Sequence, residues 1–539
     1  MDTALRRYDY IVIGGGSAGS IVASRLTERA DQSVLLLEAG GWDRHLLLRV
    51  PFGVAKAWNN PRWNWSYSSS PEPSMNGRVL FHPRGKLIGG SGSINMMAFV
   101  RGHSREYDGW AQGGLSDWSW EKVLPYFKRL ETFSGGVSDV RGGSGPIYVG
   151  RRDDADSLID VWLRAGLQAG YSPNSDYNGV AQEGVSITQS NMGDGRRQSA
   201  GACYLRPALS RSNLNVVTHA EVLKLDLEGR KVSGVEYKRN GVTYHAVATR
   251  EVILCAGAYN TPKLMMLSGL GPAKHLREHG INVVLDIAEV GQNLQDHTSV
   301  LVEHAAARPT NFHHNLRWDR LTWNMLRALL VRSGPATRPM SIGMAFLKSA
   351  PQLDVPDIQI IFRPFARDAR PWFPGLIDPF DDRLGFVVCH LRPAARGSVQ
   401  LSSAVHHHQP VILNRFFEQK SDLLALSAGV RMARHIARQD AFATILGPEV
   451  LPGSQISSDE EIEAFIRGTA TTLFHPCGTC RMGVDSSSVV DEHLRVRGIG
   501  GLRIIDASVM PSIVGGNINA CVMMIAEKAA DMIANGQKI

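Results

Sequence analysis

Residues 8–40 read YDYIVIGGGSAGSIVASRLTERADQSVLLLEAG, and this stretch restricts the fold more than any other in the chain. An apolar, β-branched run from Tyr10 to Ile13 has strand length, and glycines follow at 14, 16 and 19 in a G-x-G-x-x-G pattern. Ile21, Val22 and Leu26 with Ser24, Arg25 and Glu28 predict a helix, and Val34 to Leu37 predict a second strand that Glu38 closes. In such a βαβ unit Gly14 allows the tight turn, Gly16 lets the backbone approach a pyrophosphate, and Gly19 lets the helix lie close on the strand. Free N–H groups at the helix start meet the phosphate charge. Glu38, an acceptor only, suits ribose hydroxyls. The unit predicts a dinucleotide site without choosing between NAD and FAD.

A chain of 539 residues exceeds one ordinary core, so two or more compact units are expected. The net charge of +7 is spread, with no run of five or six Lys and Arg, which argues against a nucleic-acid partner. The first strand begins within ten residues without an apolar leader, and no apolar stretch reaches the ~18 residues of a membrane span. Six cysteines in so long a chain make no disulfide framework; reduced thiols and a cytoplasmic location are expected.

Four further stretches carry information. Trp42 to Trp65 is loop-like and rich in tryptophan. Pro83 to Asp108 has glycines at 85, 89, 90 and 92, a backbone-exposed loop able to approach a flat or anionic ligand. Residues 204–235 suggest a helix start and then two short strands, Leu214 to Thr218 and Val222 to Leu227, arranged as a hairpin. Arg250 to Gly257 reads as a buried strand, and the next helix is expected to start at Thr261 as N-cap with Pro262 first. From about 300 to 468 strand-like runs such as Ile358 to Phe362 and Leu384 to Leu391 alternate with Pro-rich loops, predicting an inserted α+β lobe. His406, His407 and His408 are adjacent and cannot all face one ion, so no metal site is expected. The C-terminal part holds His475-Pro476-Cys477-Gly478-Thr479-Cys480 and then a turn into a helix with Asn517 near its start.

These stretches together resemble the glucose–methanol–choline (GMC) oxidoreductases. The matching motifs are GGGSAG at 14–19, GKLIGGSGSIN at 85–95, GAYNTPKLMMLSGLG at 257–271, NLQDH at 293–297, HPCGTCRMG at 475–483, and IDASVMP with GNINA near the end. The resemblance implies an α/β FAD-binding domain (residues 1–150, 196–300 and 469–539) and an α+β substrate-binding domain with an antiparallel sheet (151–195 and 301–468). It implies that Gly14, Gly16, Ser17, Ala18, Glu38 and Ala39 hold the ADP part of FAD. Trp65, Gly85, Gly90, Ser91, Asn95, Met96, Met97 and Ala98 would follow the ribityl chain and ring, Val222 the adenine, and Gly257, Asp506, Ala507, Asn517 and Asn519 the remaining contacts. Ile94 stands where some members carry a histidine bonded to the flavin, so the FAD is expected to be non-covalent.

The implied chemistry is oxidation of a primary or secondary alcohol to an aldehyde or ketone, with oxygen or a quinone-type acceptor. His475 falls on the general-base position, suited by an imidazole pKa of about 6.5, and hydride passes to flavin N5. Asn517, on the second catalytic position, cannot be a base, but its amide can hydrogen-bond the substrate oxygen. The alternatives are a non-redox lyase on the same fold and a disulfide oxidoreductase using Cys477 and Cys480. Phe474, Phe362 and the tryptophans suit either an apolar, aromatic-tolerant pocket or the core.

Overall fold

A computed structural model describes residues 6–151 and 157–536. It is built on two seven-stranded sheets. The first has a parallel centre in the order Leu214–Thr218, Val34–Glu38, Arg6–Ile13, Val242–Leu254. Leu502–Ile504 adds in parallel to the far end of Val242–Leu254, while the near end of that strand joins the antiparallel pair Lys231–Arg239 and Ala220–Glu228. The central strands are apolar where helices cover the sheet, at Tyr10 to Ile13 and Val252 to Leu254, and Val34–Glu38 is buried throughout.

The expected hairpin is drawn differently. Leu214–Thr218 pairs in parallel with Val34–Glu38, and Ala220–Glu228 takes Lys231–Arg239 as its hairpin partner. The strand expected at 250–257 begins at Val242, since its first half is half-exposed and lacks an apolar run. The helix expected to open at Thr261 spans Gly257–Leu267; Thr261 donates its hydroxyl to Asp506 instead of capping, and Pro262 lies inside the helix.

The second sheet is antiparallel, in the order Leu446–Leu451, Thr298–Ala306, Arg383–His390, Ile358–Arg363, Gly343–Leu347, Gly184–Ile187, with Thr471–Thr472 also on Thr298–Ala306. The helix Lys420–Ala437 packs on it, and Phe362 is fully buried there with Trp162, Phe386 and Phe442, in the core of this lobe.

Helices Ser17–Leu26 and Asn519–Ala534 lie against each other. Arg25 pairs with Glu527 at 2.8 Å, and Tyr204 and Arg129 also reach that buried carboxylate. The two ends of the chain thus meet on one side of the first sheet.

Candidate active site

One cavity of about 1180 Å³ lies between the sheets, and every residue singled out above as a cofactor or catalytic position lines it. Its floor on one side is the glycine cradle. A Cβ on Gly19 would sit 1.9 Å from the Gly14 carbonyl oxygen, so only glycine lets this helix approach its strand. Gly90 has φ +52°, and a Cβ there would lie 2.8 Å from the Gly16 Cα; two loops meet backbone to backbone. Gly40 is a third such contact that sequence reasoning passed over, closed against the Lys86 carbonyl.

The helix Ser17–Leu26 has Gly16 as N-cap and no side-chain cap, leaving its first N–H groups open to an anion. The Ser17 hydroxyl donates to Asn519 Oδ1 at 2.7 Å, bringing the start of Asn519–Ala534, also without a side-chain cap, to the same place. Glu38 accepts from the Gly15 and Gly40 N–H groups, one per oxygen at 2.8 Å, and burial raises its pKa. Uncapped helix start, bare backbone cradle and acidic strand end fit the pyrophosphate and ribose of a dinucleotide.

The loop at 85–98 is braced by Arg197, another residue the sequence did not flag. Its buried guanidinium donates to the Leu48 and Gly92 carbonyls and to Asn95 Oδ1, and Asn95 Oδ1 also takes the N–H of Met97, which sits at φ +63°. Trp65 stacks on Tyr67 with the Lys86 ammonium 4.3 Å above its ring.

His475 is placed by two chain segments that run antiparallel, 295–299 against 471–477. Asp296 ties them: it accepts the His475 N–H at 2.8 Å and the Thr472 hydroxyl at 2.5 Å, and burial pushes its pKa up to about 6. Phe474 takes φ +66° and packs edge-on against Trp58, and both line the cavity with His475.

The ring nitrogens are assigned by their partners. His297 Nε2 lies 3.0 Å from the Leu391 carbonyl oxygen, which can only accept, so Nε2 carries the proton. Burial pushes the His297 pKa down to about 3, so the ring is neutral and its Nδ1 is bare. That Nδ1 faces His475 Nδ1 at 2.9 Å, and His475 must therefore donate from Nδ1. His475 Nε2 is left with a lone pair, 3.2 Å from the Asn517 amide nitrogen, while Asn517 Oδ1 accepts from Gln359 at 3.3 Å. Burial first, and then the Arg84 guanidinium, hold the His475 pKa well below 6.5. Sequence reasoning quoted NLQDH as a motif but gave His297 no part in the site.

Cys477 and Cys480 are buried, unpaired, and pushed well above the ordinary thiol pKa by burial, which leaves neither poised for thiol exchange.

A dinucleotide cradle facing an unprotonated imidazole nitrogen across one cavity is the site of a dinucleotide-dependent oxidoreductase. The sequence models of GMC oxidoreductase match residues 8–299 and 393–526. The chain is 40% identical over 533 residues to an oxygen-dependent choline dehydrogenase of Rhizobium etli, covering 98% of this chain and 96% of that protein. Pyridoxine 4-oxidase from Mesorbium loti superimposes with a TM-score of 0.89 at 29% identity, over 98% of this chain and 100% of that one. A fungal aryl-alcohol oxidase superimposes with a TM-score of 0.83 at 26% identity, over 98% and 99%. The chain belongs to the GMC oxidoreductase family, and FAD is its cofactor. Among the described residues no helix is long and apolar enough to cross a membrane.

Proposed function

We propose that this enzyme oxidises a primary or secondary alcohol with His475 as general base, acting through Nε2. The observation that carries the reading is the ordered chain Leu391 carbonyl, His297, His475, which leaves the lone pair of this cavity-lining ring on Nε2, the nitrogen facing Asn517. Asn517, whose N–H rests on that lone pair at 3.2 Å, turns its N–H to the substrate oxygen, freeing Nε2 to take the alcohol proton. When bound, FAD supplies the two-electron acceptor that the side chains lack.

Gly14, Gly16, Ser17, Ala18, Glu38 and Ala39 would hold its ADP part, and Val222 its adenine. Trp65, Gly85, Gly90, Ser91 and Asn95 to Ala98 would line the ribityl and ring region, with Gly257, Asp506, Ala507, Asn517 and Asn519 on the opposite wall. Residues 1–150, 196–300 and 469–539 form the FAD-binding domain in this reading, and 151–195 and 301–468 the substrate-binding domain. The electron acceptor is oxygen or a quinone. Six unpaired cysteines support a reducing, cytoplasmic compartment.

The test is anaerobic mixing of the FAD-loaded enzyme with a panel of alcohols while following the flavin absorbance. Alcohol-dependent bleaching that is lost in His475→Ala supports the reading; bleaching at the native rate in that variant would end it.

A further inference from the structure

The second sheet forms a floor whose chemistry can be read rung by rung. Ser299, Cys389 and Gln359 share one rung, and Gln359 reaches Asn517, which bonds His475, so this rung marks the reacting end. The next rung on that face is Leu301, Val387 and Ile361, all lining the cavity. The third is Glu303, Gly385 and Arg363, about 13 Å from the first at ~3.3 Å per residue. There Arg363 lines the cavity while pairing with Glu303 at 3.1 Å. The helix Trp318–Leu330 adds Leu321, Met325 and Leu329 to the wall.

The charges that line this half of the cavity are cations; Glu303, on the same face, is buried behind them and held by Arg363, Arg383 and the Arg367 N–H. Arg84, whose guanidinium donates to the Phe474 carbonyl, Arg363 and Arg367 line it. Among the described lining residues the carboxylates are Glu38, Glu221 and Asp506. Glu38 and Glu221 belong to the first sheet, on the dinucleotide side. Asp506 is buried and engaged by the Gly257 and Ser508 N–H groups and the Thr261 hydroxyl. Asp296, behind His475, does not line the cavity; both its oxygens are engaged and Arg84 lies close enough to lower its pKa.

A cationic substrate placed at His475 would therefore leave water for an apolar floor with guanidiniums nearby and no lining carboxylate to meet it; cation–π contact with rings such as Trp58 and Phe474 is weaker than the desolvation of a buried cation and offsets only part of the loss. We infer that the substrate is an uncharged alcohol with an apolar body, and that a quaternary ammonium alcohol such as choline, the substrate named for the relative from Rhizobium etli, is disfavoured. This rests on the alcohol-oxidation reading above and narrows it to a substrate class. The neutral body lies along Leu301, Val387 and Ile361 while its hydroxyl meets His475 Nε2.

The test compares choline with 3,3-dimethylbutan-1-ol, which has the same shape with carbon in place of the charged nitrogen. Two quantities are read on the FAD-loaded enzyme: kcat/KM from anaerobic flavin reduction, and Kd from perturbation of the oxidised flavin spectrum. We expect the neutral alcohol to exceed choline at least 100-fold in kcat/KM and at least 10-fold in affinity. Leu301→Glu or, as the smaller change, Ser299→Asp, each checked for native FAD content, should narrow the kcat/KM ratio at least 10-fold by improving choline. Choline matching or surpassing its neutral counterpart in the native enzyme overturns the inference and leaves alcohol oxidation standing. If neither alcohol, nor any other in the panel, bleaches the flavin, alcohol oxidation fails, and the Kd ratio still decides whether the cavity rejects the cation.

Discussion

His297 decides which nitrogen of His475 can act as a base. Its Nε2 is committed to the Leu391 carbonyl, so its Nδ1 accepts from His475 and the reactive lone pair is held on Nε2. His475→Ala should retain FAD and slow alcohol-dependent flavin reduction by ~10²–10⁴, the range for a lost general base, measured by anaerobic stopped-flow. His297→Leu should keep FAD but free the His475 ring to adopt the wrong tautomer, slowing the same step by roughly 10–100-fold, while His297→Gln, whose amide oxygen can accept from Nδ1, recovers part of the loss. The pH profile separates this from a packing defect. The base acts when unprotonated, and a pKa held below 6.5 keeps it so as pH falls through 6.5; the acid limb of kcat/KM then lies lower. Because the neutral His297 accepts the His475 Nδ1–H and so favours the protonated ring, its removal should shift that limb to still lower pH. An unmoved limb in His297→Leu would remove His297 from the mechanism.

At the scale of elements the site is an agreement between glycine loops and helix starts. Gly90→Ala places a Cβ 2.8 Å from the Gly16 backbone at a left-handed φ, so the two loops must part and the cradle opens. The expected result is a flavin-to-protein ratio well below that of the native enzyme. Gly77→Ala is the control: φ is +70° but nothing lies within 4 Å, so it should cost roughly 1 kcal/mol of backbone strain and leave flavin content unchanged. Much of this cradle is legible in the sequence, because strand, turn, helix and strand are contiguous from Tyr8 to Gly40 and each glycine answers a local demand. The hairpin near residue 220 was misread because period and turn residues mark strands but not their partners. Leu214–Thr218 finds its partner about 180 residues away in the chain. Arg197 and His297 were missed for a related reason: an arginine beside a turn and a histidine ending a motif acquire their tasks only from distant carbonyls and rings.

Across the whole molecule the cavity is where remote parts of the chain are joined. Ser17 bonds Asn519, the Gly257 N–H bonds Asp506, and Arg84 reaches Phe474. The antiparallel lobe was visible only as strand-like runs, since the order of its strands follows from pairings such as Thr298–Ala306 with Arg383–His390 and Leu446–Leu451, which no local signal encodes. A ligand lying along this cavity touches the first strand's turn, the loop at 85–98, the hairpin strand at Val222 and the C-terminal helix start together, so its binding energy adds to the stability of the assembled chain and not to one element. FAD held at 100 times its Kd should stabilise the protein by about 2.7 kcal/mol. Removing it should lower the Tm measured by circular dichroism, and adding it back should restore the native value in proportion to the logarithm of free FAD. His475→Ala, which keeps every one of these contacts, should melt near the native temperature when loaded. An FAD-free protein that melts with the loaded one would mean that the cavity is closed by its own side chains and that the dinucleotide is held elsewhere.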